Sequence, residues 1–310
     1  MLTTSGTKSR VQMQVQTQTQ QPLRERVIAT LGEFLPARAA VIPTVMRMTG
    51  SGNAGAAELA RVLSKDPSLS ATVLRLSNSS FYGRKGAVTS LNEAIMVLGF
   101  SLLRSLVVAT SVSSLFRKDE ERGLEQALWD HSIAVAIGAR IIYERVEPRR
   151  VEEAFLAGLL HDLAQLVLLQ KFPEEYMPAL DEISRDPFGE RDIEQEYFGF
   201  HHADLGATML QHWNFPPRLV KAVRMHHHPT DLESPDATDI VEPALLSLTH
   251  AVCLADTLAK SLGYWFSSRA ETDLVNLPST QFFNFTPETM AHIADALAAR
   301  FSEEQKLFNG

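Results

Sequence analysis

Cysteine is almost absent from the 310-residue sequence, which contains only Cys253. A single cysteine excludes an intrachain disulfide framework and any zinc site built from several thiolates. Cys253 lies in the apolar, helix-like stretch 249–254, where a small buried residue fits. We therefore expect a packed thiol rather than a redox centre.

An excess of positive charge is also missing. Lys plus Arg number 29 against 37 for Asp plus Glu, which gives a formal net charge of −8. No global field draws such a chain to nucleic acid phosphates. A helix–glycine–helix pattern around Gly99 has the spacing of a DNA-binding motif, but Arg104 is the only basic residue in its second helix, 101–116. A recognition helix needs polar and basic side chains, so we predict no nucleic acid partner.

The sequence has no run of about 18 apolar residues, the length that a membrane-spanning helix needs, and its N-terminus is polar where a signal peptide would be apolar. We therefore expect a cytoplasmic protein without a membrane partner. Gln, Thr and Ser dominate residues 1–21, which lack the apolar content of a core. That composition is typical of a disordered leader.

Alternating runs typical of strands are missing beyond this leader, whereas apolar residues at helical spacing recur along the chain. Asp66 and the pair Ser90 and Glu93 are typical helix starts, and Gly99 suits a left-handed helix C-cap. The sequence thus predicts an all-α fold. We place a helical N-terminal subdomain at 22–118, a helical bundle at 119–262 and a C-terminal loop and helix at 263–310.

Ionisable residues within apolar helices are the most unusual feature of the chain. His161 and Asp162 are adjacent at the end of an apolar run, and neighbours on a helix point about 100° apart. The pair can hold one ion only if further ligands come from other helices. Residues of the right type occur before and after it: His131, His202, the run His226–His228 and Asp256.

Several separate blocks of the sequence, taken in order, resemble the HDOD family, the HD-related output domains of bacterial signalling proteins. The match covers roughly residues 35–229, and agreement across so many blocks is specific. The blocks are 66–69, 76–83, 90–95 with 98–99, 128–132, 157–162, 198–207, 213–216 and 222–229.

The resemblance implies an all-helical protein in which the N-terminal subdomain packs on an HD-like bundle. The family is related to the HD phosphohydrolases and generally lacks demonstrated catalysis. In catalytic HD relatives an early His, the adjacent His-Asp pair and a later Asp hold a metal ion. His131, His161, Asp162 and Asp256 stand at those places.

Cyclic-di-GMP phosphodiesterases of the same superfamily add further histidines for a second ion. His202 falls at one of these places, and either His226 or His227, with His227 preferred, falls at another. The implied cofactor is a divalent iron, manganese or zinc ion, which imidazole and carboxylate ligands suit.

The sequence departs from the family pattern directly after the His-Asp pair. Catalytic members continue with Gly-Lys, as do many HDOD members, whereas Ala164 and Gln165 follow here. A lysine near a scissile phosphate would supply a fixed cation to the transition state, and glutamine cannot. We therefore predict a non-catalytic regulatory module of signal transduction that acts by binding a signalling protein.

Three alternatives stay open. The first is a metal-dependent phosphohydrolase or phosphodiesterase acting on a nucleotide or cyclic dinucleotide, with a bound ion generating the nucleophile. The second keeps the ion in a structural or sensory role. The third needs no ion, because the histidines are core residues hydrogen-bonded to Asp162 and Asp256. The sequence also leaves a homo-oligomer open.

Other residues receive less specific predictions. The charged segment 181–197 is expected to face solvent, and the aromatic-rich segment 263–285 is either a lid or an interface. Phe81 and Tyr82, beside two basic residues, are either a partner contact or, as we prefer, a packed aromatic among solvated charges. Histidines expected at the surface or at helix caps are His201, His212, His228, His250 and His292.

Overall fold

A computed structural model describes residues 23–31, 41–50, 55–78, 88–116, 123–233, 242–266 and 272–309. Regular structure within these ranges is helical and includes no strand, so the prediction of an all-α fold is confirmed. The predicted leader and the Phe81–Tyr82 loop lie outside the described residues. The domain boundaries proposed from the sequence stay predictions.

The described N-terminal residues form the helices α1 (Leu23–Leu31), α2 (Val41–Gly50), α3 (Ala56–Leu63), α4 (Pro67–Ser77) and α5 (Leu91–Ser113). The two predicted helix starts are present. The Asp66 carboxylate accepts a hydrogen bond from the amide of Leu69 at 3.0 Å, and Ser90 and Glu93 form a reciprocal capping box. These bonds satisfy amide groups that have no partner within the helix, so local sequence sets where α4 and α5 begin.

Helix α5 is kinked at Gly99, whose φ of 75° and ψ of 167° are not helical. The predicted left-handed cap is wrong in detail. The positive φ is one that glycine adopts freely, but the extended ψ is not that of a left-handed cap; a first helical stretch ends here and a second follows at once, as the sequence predicts.

The remaining helices form the bundle. Helix α6 is buried from Leu128 to Tyr143 except at Asp130, and it is the central helix that the sequence predicts. The bundle helices are α6 (Gly123–Val146), α7 (Val151–Leu160), α8 (Leu163–Lys171), α9 (Pro173–Ile183), α10 (Glu190–Phe198), α11 (His202–His212), α12 (Pro217–Met225), α13 (Pro243–Leu262), α14 (Pro278–Phe282) and α15 (Pro287–Asn309).

Two apolar cores join these parts. The smaller core lies among the N-terminal helices and includes Val45 and Leu103. The larger core fills the bundle and also takes in Met46 from α2 and Leu106 from α5. Helices α2 and α5 thus bury one face among their neighbours and another against the bundle, which fixes the N-terminal subdomain on it.

The close contact between α6 and α7 depends on a glycine. A Cβ atom on Gly158 would lie 2.7 Å from the carbonyl oxygen of Val135 and 2.9 Å from the Cα of Ala136. Only a residue without a side chain allows this approach of two backbones. Since Gly158 precedes His161 by one helical turn, the contact also positions the His-Asp pair.

The C-terminal helix α15 packs against α6 and closes the bundle on that side. Ile293 and Leu297 are fully buried. Arg300 donates two hydrogen bonds to the Glu144 carboxylate, at 2.6 and 2.8 Å. Such a paired arrangement fixes geometry as well as adding energy.

Helix α5 is long and apolar enough to cross a membrane, judged by its length and composition. Half of its most apolar window is buried inside the protein, and its buried side chains belong to both apolar cores. That packing is typical of a core helix.

The charged segment 181–197 does not simply face solvent, and the prediction for it is wrong in part. Glu190 and Glu194 are fully buried, whereas the side chain of Asp192 is exposed. A spacing of four places the two buried carboxylates on one face of α10, and this face turns toward the bundle core.

We expect Gly158→Ala to lower the free energy of unfolding by about 1–3 kcal/mol, the usual cost of overpacking a core, because the added methyl group would push α7 away from α6. Gly50→Ala is the matched control, since a Cβ there meets nothing within 4 Å. Urea unfolding followed by circular dichroism measures both. Equal effects of the two substitutions would contradict the close-contact role of Gly158.

Candidate metal centre

Four of the predicted residues meet at one point inside the bundle. His131 comes from α6, Asp256 from α13, and His161 and Asp162 from the break between α7 and α8. His131 Nε2 lies 3.0 Å from Asp256 Oδ1 and 3.7 Å from Asp162 Oδ2, and His161 Nε2 lies 3.1 Å from that same Asp162 oxygen. All four residues are buried. The first predicted ligand set is therefore together in space.

The break between α7 and α8 makes this convergence possible. His161 keeps helical angles, but Asp162, with φ −106° and ψ 12°, leaves the helix. The change of direction lets two adjacent side chains reach one point, which neighbours in a continuous helix cannot do. Asp162 precedes α8 without capping it, so its carboxylate is left for the histidines.

A second group of histidines shares Asp162 with the first. His202 Nε2, at the start of α11, lies 3.1 Å from Asp162 Oδ1, and His226 Nε2, just after α12, lies 3.6 Å from that oxygen. His227 Nε2 is 2.9 Å from His202 Nε2. The sequence left His226 and His227 as alternatives for one place, and the structure brings both to the centre.

In three of these histidines, the ring nitrogen that faces away from the centre, Nδ1, contacts a backbone carbonyl. The Nδ1 atoms of His131, His161 and His226 lie 2.7, 2.7 and 2.6 Å from carbonyl oxygens of Tyr264, Gly158 and Val223, respectively. A carbonyl accepts only, so Nδ1 carries the proton and Nε2 is the nitrogen that faces the centre. This arrangement orients histidine ligands of metal ions in many proteins.

The atoms that face one another across the centre lack hydrogen-bond partners. This group consists of the Nε2 atoms of His131, His161 and His226, both Asp162 carboxylate oxygens and Asp256 Oδ1. A buried polar atom without a hydrogen-bond partner lowers the stability of the fold. Six such atoms around one point call for a single explanation. A cation between them would satisfy all of them. The residues present therefore fit a metal ion.

Burial and neighbouring charges pull the pKa values of these groups apart. Burial opposes ionisation of His161, but the Asp162 carboxylate outweighs it and raises the His161 pKa to about 9. Burial is likewise outweighed at His202, where Glu194 and Asp162 hold the pKa well above its usual value. Burial prevails at His226 and lowers its pKa to about 4. The same surroundings thus shift the pKa values of these imidazoles in opposite directions.

A lysine that the sequence analysis missed completes the centre. Lys260 Nζ lies 3.1 Å from Asp256 Oδ2 and 2.6 Å from Glu190 Oε2. Burial opposes its charge, but Asp256 and Glu190 outweigh that cost and raise the Lys260 pKa. Its position four residues after Asp256, on the same face of α13, was a signal that could have found it.

The buried carboxylates of α10 orient two other residues. Glu194 accepts hydrogen bonds from the His202 amide at 2.6 Å and from Tyr176 at 2.7 Å, and it lies 2.7 Å from His202 Nδ1. Gln165 donates to Glu190 and is buried. The Gln165 amide is therefore bonded to α10, and Glu190 also pairs with Lys260 of α13.

A cavity of about 340 Å³ gives access to one side of the centre. Its wall includes Asp256, Lys260, His226 and His227. Cys253 also lies on it, half-buried, and removal of its sulfur from water raises the thiol pKa to about 11. A thiol that stays protonated agrees with the prediction that Cys253 is not a redox centre.

The aromatic-rich C-terminal segment contributes a cover on another side. Trp265 is buried, with its ring 4.4 Å from that of His131, and Lys260 Nζ lies 5.0 Å from the Trp265 ring. The neighbouring Tyr264 supplies the carbonyl that His131 contacts. The start of the segment therefore encloses the centre.

The remaining histidines follow the sequence prediction only in part. His212 and His292 are exposed, as predicted. His250 is fully buried on α13, stacked on Phe282 at 4.1 Å, so the surface prediction for it is wrong. His201 is also buried and lies before α11 without capping it. Polar partners meet both rings: His250 Nδ1 lies 3.0 Å from Ser279 Oγ, and His201 Nε2 lies 3.3 Å from Asp204 Oδ2.

An all-helical bundle with a buried centre of paired His and Asp residues defines the class of HD-type helical proteins. Within that class, the model of the HDOD domain matches residues 35–229, more than half of the chain. The chain belongs to the HDOD family. The sequence-based resemblance is confirmed.

Solved structures of similar fold agree with this assignment. An HDOD domain protein of unknown function from Geobacter sulfurreducens has a TM-score of 0.68 at 20% identity, covering 92% of this chain and 97% of that one. A candidate phosphohydrolase from Shewanella amazonensis SB2B has a TM-score of 0.64 at 23% identity, covering 91% and 95%. At these identities the likeness shows the fold alone.

Two further relatives are longer than this chain. A candidate signal transduction protein from Marinobacter aquaeolei VT8 has a TM-score of 0.69 at 23% identity, covering 94% of this chain and 62% of that one. An uncharacterized protein of Treponema pallidum (strain Nichols) is 20% identical over 278 residues, 89% of this chain and 53% of that protein. The chain spans about half the length of this curated relative.

Proposed function

We propose that the centre binds divalent transition-metal ions. His131, His161, Asp162 and Asp256 would hold one ion, and His202, His226 and His227 would hold a second, with Asp162 shared. The proposal is carried by the buried Nε2 and carboxylate atoms that face one another without hydrogen-bond partners. Imidazole and carboxylate ligands suit iron, manganese or zinc.

Elemental analysis of protein prepared without a histidine tag tests this proposal. We expect stoichiometric iron, manganese or zinc in the wild type and in His292→Ala, whose histidine is exposed. His161→Ala should lose most of the metal, because loss of a ligand removes a bond that the other ligands cannot replace. Equal metal content in the two variants, or a wild type that neither contains nor takes up metal, would contradict the proposal.

We propose further that the chain is a regulatory module of signal transduction that acts by protein contact and not by hydrolysis. Its membership of the HDOD family supports a signalling role. Among the described residues that line the cavity, Lys260 is the one lysine or arginine, and Asp256 and Glu190 neutralise it. Apart from the proposed metal ions, a phosphoryl transition state there would find no uncommitted side-chain cation.

An exposed apolar face on α5 supports contact with a protein. Met96, Val97 and Phe100 leave 77%, 42% and 37% of their surface exposed. Grouped large apolar side chains at a surface are typical of interaction sites. We propose that this group, the α5 apolar face, binds a signalling partner.

Turnover assays test the absence of catalysis. With manganese or iron added, we expect no hydrolysis of nucleotides or cyclic dinucleotides, because Gln165 supplies no cation and Lys260 is neutralised. Chromatography of the reaction mixture measures product. Hydrolysis that is lost in His161→Ala and kept in His292→Ala would rule out the non-catalytic role.

A metal-dependent phosphohydrolase is the second candidate, and the cavity beside Asp256 and the two histidines is the observation that favours it. In that reaction a water oxygen would attack phosphorus and an ester P–O bond would break, with the water proton passing to a neighbouring base. A bound ion would lower the pKa of the attacking water. The Shewanella relative described as a candidate phosphohydrolase also supports this alternative.

A photo-crosslinking amino acid at position 96 tests the protein-contact role in cells. We expect one defined adduct with another protein, because the α5 apolar face is the proposed contact surface. Met177 is the matched control: it is a methionine exposed at 43%, on α9. Adducts of equal yield at both positions, or none at position 96, would contradict the proposal. An adduct of twice the chain mass would show that position 96 contacts a second copy of this chain and not a signalling partner.

A further inference from the structure

Arginine side chains surround a second cavity, away from the metal centre. The cavity has a volume of about 210 Å³ and lies where α2 and α5 meet α7 and α12 of the bundle. Its lining combines four arginines with two glutamates: Arg104, Arg149, Arg150, Arg218, Glu152 and Glu153. Positive charge is therefore in excess, in a protein whose total charge is negative.

Two of these arginines have buried nitrogens without a hydrogen-bond partner, Arg104 Nε and Arg150 Nη1. Arg150 Nη1 lies 4.0 Å from Glu153 Oε2, which is too far for a hydrogen bond. Burying a charged donor without an acceptor is expensive. Arg104 and Arg150 both line the cavity, so each brings to it a guanidinium group with one hydrogen bond unmade.

The two glutamates are bonded to other arginines. Glu153 accepts a hydrogen bond from Arg218 Nε at 2.8 Å, and Glu152 lies 3.3 Å from Arg140 Nη2. Arg140 does not line the cavity. These bonds occupy one oxygen of each glutamate and leave the unpaired nitrogens of Arg104 and Arg150 without a hydrogen-bonded carboxylate.

The cavity also receives the starts of two helices. Arg150 directly precedes α7, and Pro216 directly precedes α12, and neither helix has a side-chain cap. The first amides of a helix lack internal partners and carry a partial positive charge. Helix starts of this kind bind phosphate in many proteins, although α12 offers amides only from Arg218 onward, because Pro216 and Pro217 have no N–H.

We propose that this cavity binds the phosphate group of a small molecule, and that the bound phosphate joins the N-terminal helices to the bundle. The planar guanidinium fork matches phosphate oxygens, and donors from Arg104 and Arg150 approach from opposite parts of the fold. The volume is below the range of about 300–1,000 Å³ typical of sites for drug-sized ligands. A free phosphate ion or a short phosphomonoester therefore fits, and a dinucleotide does not.

Calorimetric titration of the full chain tests the proposal. Sodium phosphate and glycerol phosphate are titrated separately at constant ionic strength, after chelator treatment so that the metal centre does not bind them. We expect Arg104→Gln to weaken binding about ten-fold or more, as expected for the loss of a charged hydrogen bond. Arg61→Gln, at an exposed arginine of α3, removes the same charge and should leave binding unchanged.

Two further variants keep the test decisive. Arg104→Lys keeps the charge but loses the fork, so its binding should fall between wild type and Arg104→Gln. Arg150 lies in a partly exposed 3-10 turn. Arg150→Gln therefore repeats the binding test at a position outside any α-helix interior, where the risk of unfolding is lower. Circular dichroism and metal content should match wild type in each variant.

The outcomes separate the sources of the phosphate. Tighter binding of glycerol phosphate would identify an organic phosphate as the ligand, and tighter binding of sodium phosphate would identify the free ion; both support the site. Absence of measurable binding to wild type at millimolar phosphate, or equal weakening by Arg61→Gln and the cavity variants, would overturn it.

Discussion

Asp162 is a fully enclosed carboxylate, and the centre of the bundle is arranged to stabilise it. An ionised carboxylate removed from water costs several kcal/mol unless cations or hydrogen bonds replace the solvent. Here His161 and His202 hold the Asp162 pKa well below its usual range, against the opposing effect of burial. The stabilising groups come from distant parts of the chain, so the helices that bear them have to pack at one place.

Several local features follow from that requirement. The chain leaves the helix at Asp162, which lets adjacent His and Asp side chains reach the same point. Gly158 allows α7 to lie against the backbone of α6. Backbone carbonyls fix the Nδ1 side of three imidazoles, so the Nε2 side faces inward. Each feature positions one of the side chains around Asp162, and the backbone carbonyls also satisfy the Nδ1 atoms that would otherwise be buried alone.

The two cavities are connected by the same pair of helices. Helix α7 begins beside the arginine-lined cavity and ends at His161, and helix α12 begins at that cavity and ends before His226. A helix of nine or ten residues, the lengths of α12 and α7, is a short rigid element of about 15 Å. Each of the two helices thus has one end at the arginine-lined cavity and the other beside the histidines around Asp162.

Local sequence determined the helices, their starts at Asp66 and Ser90, and the residue types of the first ligand set, because capping and apolar periodicity act over a few residues. The family motifs added the expectation that His131 and Asp256 meet the His-Asp pair. The tertiary structure decided that Glu190 and Glu194 turn inward, that Lys260 pairs with Glu190 as well as Asp256, and that His250 is buried. These outcomes depend on which face of each helix meets a neighbour, and a charged helix such as α10 carries no local signal of that choice.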